Sequence, residues 1–179
     1  GRDVAFAFTG HTRIPLRARR ALELLLERSL RRSLRHKIDA LPSLREAPSH
    51  RFALFALHYE PERSSIPEGY PFDSQLDAIA TVRSMLPDNV TLYVKEHFSQ
   101  QAAALRGFVG RSPEFYDLLE SLPGVTVLGT KTNTRELMRS AECVMTFTGK
   151  VGIEAALEGS RVLYLGQPWW GKMPGAHNF

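Results

Sequence analysis
One cysteine, Cys143, stands in 179 residues. Its solitude excludes an internal disulfide framework and a cysteine-based zinc site, and it fits a reducing, cytoplasmic setting. Long apolar runs are missing too. None approaches the roughly 18–20 residues that a membrane helix needs, so the chain is not expected to span a bilayer. Residues 4–8 are too short for the apolar core of a signal peptide and have neither a basic leader nor a cleavage site. Also absent are HExxH, a nucleophile elbow, the P-loop spacing GxxxxGK[ST] and any spaced metal cluster, so hydrolase and metal readings find no support. Disordered and fibrous chains are excluded as well, because 43% of the residues are hydrophobic and only 23% are charged.

What charge there is lies unevenly. The net charge is +4, and the pI is near 9.5. Residues 11–51 hold eleven Lys/Arg against four Asp/Glu, whereas residues 52–179 hold eleven against fourteen. The basic character therefore belongs to one segment. The break follows Pro48-Ser49-His50 and predicts an N-terminal segment over 1–51 and a domain over 52–179. Within the first, Leu22, Leu26, Leu30, Leu34 and Ile38 recur every four residues, with Leu25 and Leu41 beside them and arginines on the other face. That spacing predicts one basic amphipathic helix over 16–41, stopped by Pro42. Such a helix must cover either the following domain or part of a larger protein. Residues 5–8 read as a short strand without an evident partner.

From residue 52 strands and helices alternate. Apolar, β-branched runs predict strands at 52–57, 90–94, 125–128, 143–147 and 162–165. Helices fall between them. Asp73 is the expected cap of the first, Ser112-Pro113 opens the next, and Asn133 with Glu136 forms a capping box. The last begins at Thr148-Gly149 and ends at Gly159. The pattern is α/β: a Rossmann-like parallel sheet with helices on both faces, preceded by the basic helix. In such sheets ligands bind at the carboxyl ends of the strands, beside helix N-termini.

Three strand ends carry candidate chemistry. The second closes on Lys95-Glu96-His97, three ionisable groups suited to a phosphate or a sugar hydroxyl, or to a solvated strand end. The fourth runs into Thr148-Gly149-Lys150-Val151-Gly152-Ile153-Glu154. Glycines at such a turn let a ligand approach the backbone, free N–H groups and the helix dipole attract a phosphate, and Glu154 could accept from a ribose diol. The same glycines also suit a tight turn that serves only helix–sheet packing. The first strand ends in His58, Tyr59 and Glu60, with Ser64 and Ser65 close behind, and converges on the same crevice.

Taken together, several segments resemble the C-terminal half of capsular polysaccharide biosynthesis proteins. They are Leu57-His58-Tyr59-Glu60-Pro61-Glu62, Leu92-Tyr93-Val94-Lys95-Glu96-His97, Arg111-Ser112-Pro113-Glu114-Phe115-Tyr116, Thr146-Phe147-Thr148-Gly149 with Gly152 and Glu154, and Trp169-Trp170. The resemblance covers roughly residues 52–175. It implies the C-terminal domain of a GT-B glycosyltransferase, which holds a nucleotide-sugar donor; better-known relatives transfer Kdo from CMP-Kdo. It further implies that His97, beside Glu96, contacts the donor phosphate or nucleotide, that Thr148 and Gly149, with Gly152 in the same turn, supply backbone N–H groups to that phosphate, and that Glu154 holds the ribose. His58, Glu60 and Ser64 border the pocket on this reading. Two positions depart from the family pattern. Phe98 stands where proline usually follows the histidine, and Ile153 where an aromatic residue usually precedes the glutamate.

The implied partners are a nucleotide sugar and a glycan or glycolipid acceptor, with no metal and no cofactor. An N-terminal acceptor domain does not fit into residues 1–50, so the chain is expected to bind a nucleotide without turning over, and no catalytic base is assigned. A cytoplasmic location, peripheral to the inner membrane, follows from the same resemblance and from the arginines. Other readings stay open: a UDP-sugar transferase or epimerase of the same architecture, and a non-catalytic nucleotide- or anion-binding module. Nucleic acid is not an expected partner, because no aromatic residues interleave the arginines for base stacking.

Overall fold
The computed structural model describes residues 16–61, 72, 74–102 and 104–179; the expected strand at 5–8, together with Ser64, Ser65 and Asp73, lies outside the described residues. Strand formation follows the apolar runs. β1 (Phe52–Ala56) is buried at all five positions. It pairs in parallel with β2 (Thr91–Lys95) through the register Phe52 to Thr91 and Ala56 to Lys95. On its other side it pairs with β4 (Val144–Thr146), Leu54 opposite Val144. β3 (Val125–Leu128) extends the sheet beyond β2, and β5 (Val162–Tyr164) extends it beyond β4. The order is β3-β2-β1-β4-β5-β6, parallel throughout. Strand order therefore reverses at β1, which opens a crevice at the carboxyl ends of β1 and β4.

β6 (Ala176–Asn178) is an edge strand that the sequence does not announce. Ala176-His177-Asn178 has no apolar run, and its side chains are half-buried or exposed, unlike those of β3 at the other edge, where Val127 and Leu128 are buried. Its place is set by backbone pairing with β5 and by Gly175, whose φ of +82° turns the chain into it.

Alternation along the strands divides the core in two. Ala53, Phe55, Leu57, Leu92 and Val94 face one side, where α2 (Gln75–Met85), α4 (Pro113–Glu120) and the end of α1 (Leu16–Ala40) pack. Phe52, Leu54, Tyr93 and Val144 face the other, against α5 (Thr134–Ser140), α6 (Lys150–Leu157) and Trp170. A short 3-10 turn (Phe98–Gln101) and a one-turn α3 (Gly107–Gly110) follow β2.

Caps settle most helix starts. The cap of α2 is Ser74: its hydroxyl oxygen accepts the Asp77 N–H at 3.1 Å and donates to the Asp77 carboxylate at 2.7 Å. Asn133 caps α5 by accepting the Glu136 N–H. Pro113 is the first residue of α4, with Ser112 at the cap position, but the Ser112 side chain makes no cap bond to the backbone.

α1 covers the domain only with its last turns. Leu34, Ile38 and Leu41 are buried, and Lys37 sits between Asp117 and Glu120 of α4 at 2.7 Å from each. Leu22, Leu25, Leu26 and Leu30 are exposed. The reason is geometric. A row spaced by four drifts about 40° per step on a helix of 3.6 residues per turn, so Leu22 and Ile38 lie roughly 160° apart. Replacing Ile38 by Ala is expected to cost about 2–5 kcal/mol, and Leu26→Ala less than about 0.5 kcal/mol. Urea unfolding of the two variants checks this; equal effects would mean that α1 does not dock as described.

Candidate functional site
The crevice at the strand ends is an open cleft of about 880 Å3. His58 and Tyr59 enter it after β1, Lys95, Glu96 and His97 at the end of β2, and Thr146, Thr148 and Gly149 around the end of β4. Lys150 and Glu154 of α6, Thr134 of α5 and residues 167–169 complete the lining. Thus six of the expected site residues meet in one place: His58, Glu96, His97, Thr148, Gly149 and Glu154.

The two histidines differ in role. His58 is buried, with Nε2 3.0 Å from the Thr146 hydroxyl. Its backbone is clamped: its N–H donates to Gln75 Oε1 at 2.9 Å, and its carbonyl accepts from Arg111 Nη2 at 2.9 Å. Burial, and then the positive fields of His97 and Arg111, push its pKa from the ordinary 6.5 down to about 4. His97 is half-buried. Its Nδ1 accepts the Ser99 N–H at 3.2 Å, which fixes the tautomer and leaves Nε2–H as the donor. Burial first, then Lys95 and Arg111, lower its pKa as well. A neutral, oriented N–H donor at the cleft is the result.

Glu96 supports this arrangement from below. It is fully buried, and both carboxylate oxygens have partners within the protein: the His97 N–H at 2.6 Å and the Tyr116 hydroxyl at 2.6 Å. Burial, reinforced by the Glu96 charge, drives the Tyr116 pKa upward, so the phenol stays a donor. Arg111 completes the floor. Its guanidinium lies 4.1 Å over the Phe115 ring, with Nε 3.7 Å from Glu60 Oε2. Among the described residues Arg111 Nε and Nη1 have no hydrogen-bond partner.

The turn after β4 presents backbone. Gly149 occupies the N-cap of α6 with φ −67° and ψ 154°, and no side chain caps the helix there. The first N–H groups of α6 therefore open on the cleft, at the positive end of the helix dipole. A Cβ on Gly149 would come within 3.0 Å of His58 Nε2 and 3.1 Å of Thr146 Oγ1. Trp170 holds this turn, its Nε1–H donating to the Thr148 carbonyl at 3.1 Å.

Two expected residues lie elsewhere. Gly152 is under Trp170, where a Cβ would sit 2.2 Å from the indole, so this glycine serves helix packing. Glu60 is tied to Gln75 at 2.7 Å and faces Arg111, in the polar network behind His58 and outside the cleft lining. Tyr59, Thr146, Lys150 and Trp169 also line the cleft as neighbours of the expected site residues in the same segments, together with Lys95, which the sequence offers as a contact to a phosphate or a sugar hydroxyl. Adjacency to the strand ends was the available signal. Trp169 is 84% exposed, on the rim, unlike its buried neighbour Trp170.

The family model of capsule polysaccharide biosynthesis proteins matches residues 11–176. No curated protein sequence matches the chain. Among solved structures the fold is similar to the Thermosulfurimonas dismutans KpsC β Kdo 2,7 transferase, with TM-score 0.55 and 17% identity over 87% of this chain and 46% of that one. It is similar also to the β Kdo 2,4 transferase of KpsC from the same organism, with TM-score 0.55 and 16% identity over 86% of this chain and 49% of that one. The chain thus spans about half the length of these relatives. At such identities the likeness establishes the Rossmann-like α/β fold and no more.

His58 makes stability depend on pH. Its folded pKa lies below the unfolded value, so between pH 6.5 and about 4 the unfolded chain binds a proton that the fold excludes. Stability is expected to fall on acidification through that window, by about 3 kcal/mol from this group. His58→Asn keeps a polar partner for Thr146 and should remove that part of the dependence. Urea unfolding of both proteins at pH 7 and pH 4.5 checks it; parallel losses would refute the assignment.

Proposed function
Because the chain belongs to the capsule polysaccharide biosynthesis protein family, we propose that it is the donor-binding half of a glycosyltransferase and that its cleft holds a nucleotide-activated sugar. The observation that carries the proposal is the uncapped N-terminus of α6 at the point where strand order reverses, in a cleft that His97, with Nε2–H as its donor, also lines. There the phosphate next to the nucleoside accepts from the free N–H groups of α6, aided by the charge of Lys150. His97 donates to the same phosphate or to the nucleotide. Glu154, exposed one turn into α6, accepts from the ribose hydroxyls. His58, neutral and bonded to Thr146, forms the wall behind them.

CMP-Kdo is the donor proposed, on the strength of the fold shared with proteins described as Kdo transferases. No metal and no cofactor is part of the proposal, and no side chain of the cleft is proposed as a catalytic base. The acceptor is a glycan or glycolipid, met by a part of the enzyme other than this cleft, so the chain alone binds without turnover. Among the described residues no helix is long and apolar enough to cross a membrane. Peripheral contact is assigned to α1, whose exposed Leu22, Leu25 and Leu26 are flanked by Arg19, Arg28 and Arg32. Sedimentation with phosphatidylglycerol vesicles should carry the protein down and phosphatidylcholine vesicles should not; equal recovery from both refutes that contact.

Calorimetric titration of CMP, UDP and GDP tests the main proposal. One nucleotide is expected to saturate the site, and His97→Ala or Glu154→Ala to weaken it about tenfold, or roughly 1.4 kcal/mol. A folded chain that binds none of them at millimolar concentration would overturn the donor reading.

A further inference from the structure
The end of β2 holds two charged residues whose side chains leave on opposite faces of the sheet, as strand alternation requires. Glu96 turns toward α4 and is fully committed to Tyr116 and to the His97 N–H. Lys95 goes to the other side, half-buried, and lines the cleft. Among the described residues its ammonium has neither an ion pair nor a hydrogen bond. Burial lowers its pKa, and the neighbouring Glu96 charge only offsets that in part. A partly desolvated cation without a partner costs stability, and nothing in the packing of the sheet needs one there. Its charge is left for something that enters the cleft.

Position separates Lys95 from the phosphate site already described. β2 and β4 flank β1, so the ends of β2 and of β4, from which the chain runs on into α6, are two strand spacings apart, about 10 Å. In a cleft of about 880 Å3 a phosphate held by α6 and His97 leaves space for a second anion at Lys95. A nucleotide sugar whose ribose lies at Glu154 and whose phosphate lies at α6 extends, on its other side, over the end of β1 toward Lys95.

We propose that Lys95 is a second anion-binding point of the cleft, taking an oxyanion on the sugar side of the donor, either a sugar carboxylate or a second phosphate. The inference rests on the donor reading and adds to it a requirement on the ligand: two separated negative charges. The lysine discriminates by charge. A neutral sugar attached through one phosphate leaves the buried ammonium unpaired and binds no better than the bare nucleotide, whereas an acidic one repays its desolvation.

Three probes separate the sources: CMP, with one phosphate; CDP, with two; and CMP-N-acetylneuraminic acid, with one phosphate and a sugar carboxylate. Each is titrated into the wild type, Lys95→Met and Lys95→Arg. Lys95→Met is expected to leave CMP affinity within about twofold and to weaken one of the two probes with a second anionic group at least tenfold, with Lys95→Arg restoring most of the loss. Loss confined to CMP-N-acetylneuraminic acid identifies the carboxylate, and loss confined to CDP the second phosphate. The melting temperature of Lys95→Met should equal or exceed that of the wild type, because a buried unpaired cation has been removed; a fall would show that the lysine is structural and overturn the proposal. Equal weakening of all three probes, or of none, also overturns it while leaving the donor reading intact. A wild type that binds no nucleotide fails the donor reading, and Lys95 falls with it.

Discussion

Parallel pairing of β1 with β2 on one side and β4 on the other is the constraint on which the site depends. β1 is buried at every position and has both edges occupied, so its exit can go only upward, into the region between its neighbours. Three chain segments must leave the sheet there within two strand spacings of each other. Their first residues, His58, Lys95 to His97, and Thr146 to Gly149, are thereby brought together although they are distant in sequence. The chemistry of the cleft is a by-product of how a doubly wound sheet changes direction.

Beneath that junction lies an unusual quantity of buried polarity. Gln75, Glu96, Gln100 and Arg111 are all buried, yet nearly every bond they make goes to the backbone of a cleft-lining segment or to a residue behind it. Gln75 and Arg111 clamp His58; Glu96 fixes the His97 amide; Gln100 grips the backbone of Glu60 and Gly107. These contacts specify geometry more than they add stability, since a buried polar network gains little over apolar packing. They also set charge. Arg111 contributes to the depressed pKa of both histidines, so the cleft keeps neutral imidazoles and leaves its positive charge to Lys95 and Lys150.

Much of this was legible because it rests on local rules. β1 to β5 follow from apolar runs, α6 from Thr148-Gly149 and Gly159, and the α5 start from Asn133 with Glu136. The convergence of His58, His97 and the Gly149 turn follows from strand order alone. What was not legible depends on contacts between distant segments. Glu60 and Gly152 belong to motifs beside the cleft, but only the partners Arg111 and Trp170, 51 and 18 residues further on, reveal that one is tied into a polar network and the other into helix packing. β6 has no sequence signal because its three residues are held by backbone pairing with β5 and not by an apolar run. The leucines of α1 recur at a spacing that looks like one stripe but winds around the helix, so burial at Ile38 says nothing about Leu22.

The same distinction bears on the two departures from the family pattern. Phe98 is the first residue of the 3-10 turn, and His97 before it has φ −70° and ψ 132°. That is the extended conformation a residue takes before proline, and the first position of a turn is where proline fits without losing a hydrogen bond. The chain thus follows the path that a proline would impose, held instead by the Ser99 N–H on His97 Nδ1 and by the Gln100 N–H on the His97 carbonyl at 3.0 Å. What changes is the surface: the Phe98 ring, 69% exposed, lies 4.8 Å from the His97 ring at the mouth of the cleft. Ile153 is half-buried among the residues that pack around Trp170, so an aromatic residue is replaced there by another apolar one. Neither departure removes a hydrogen bond from the site. The backbone of the cleft is therefore defined by the buried network under it.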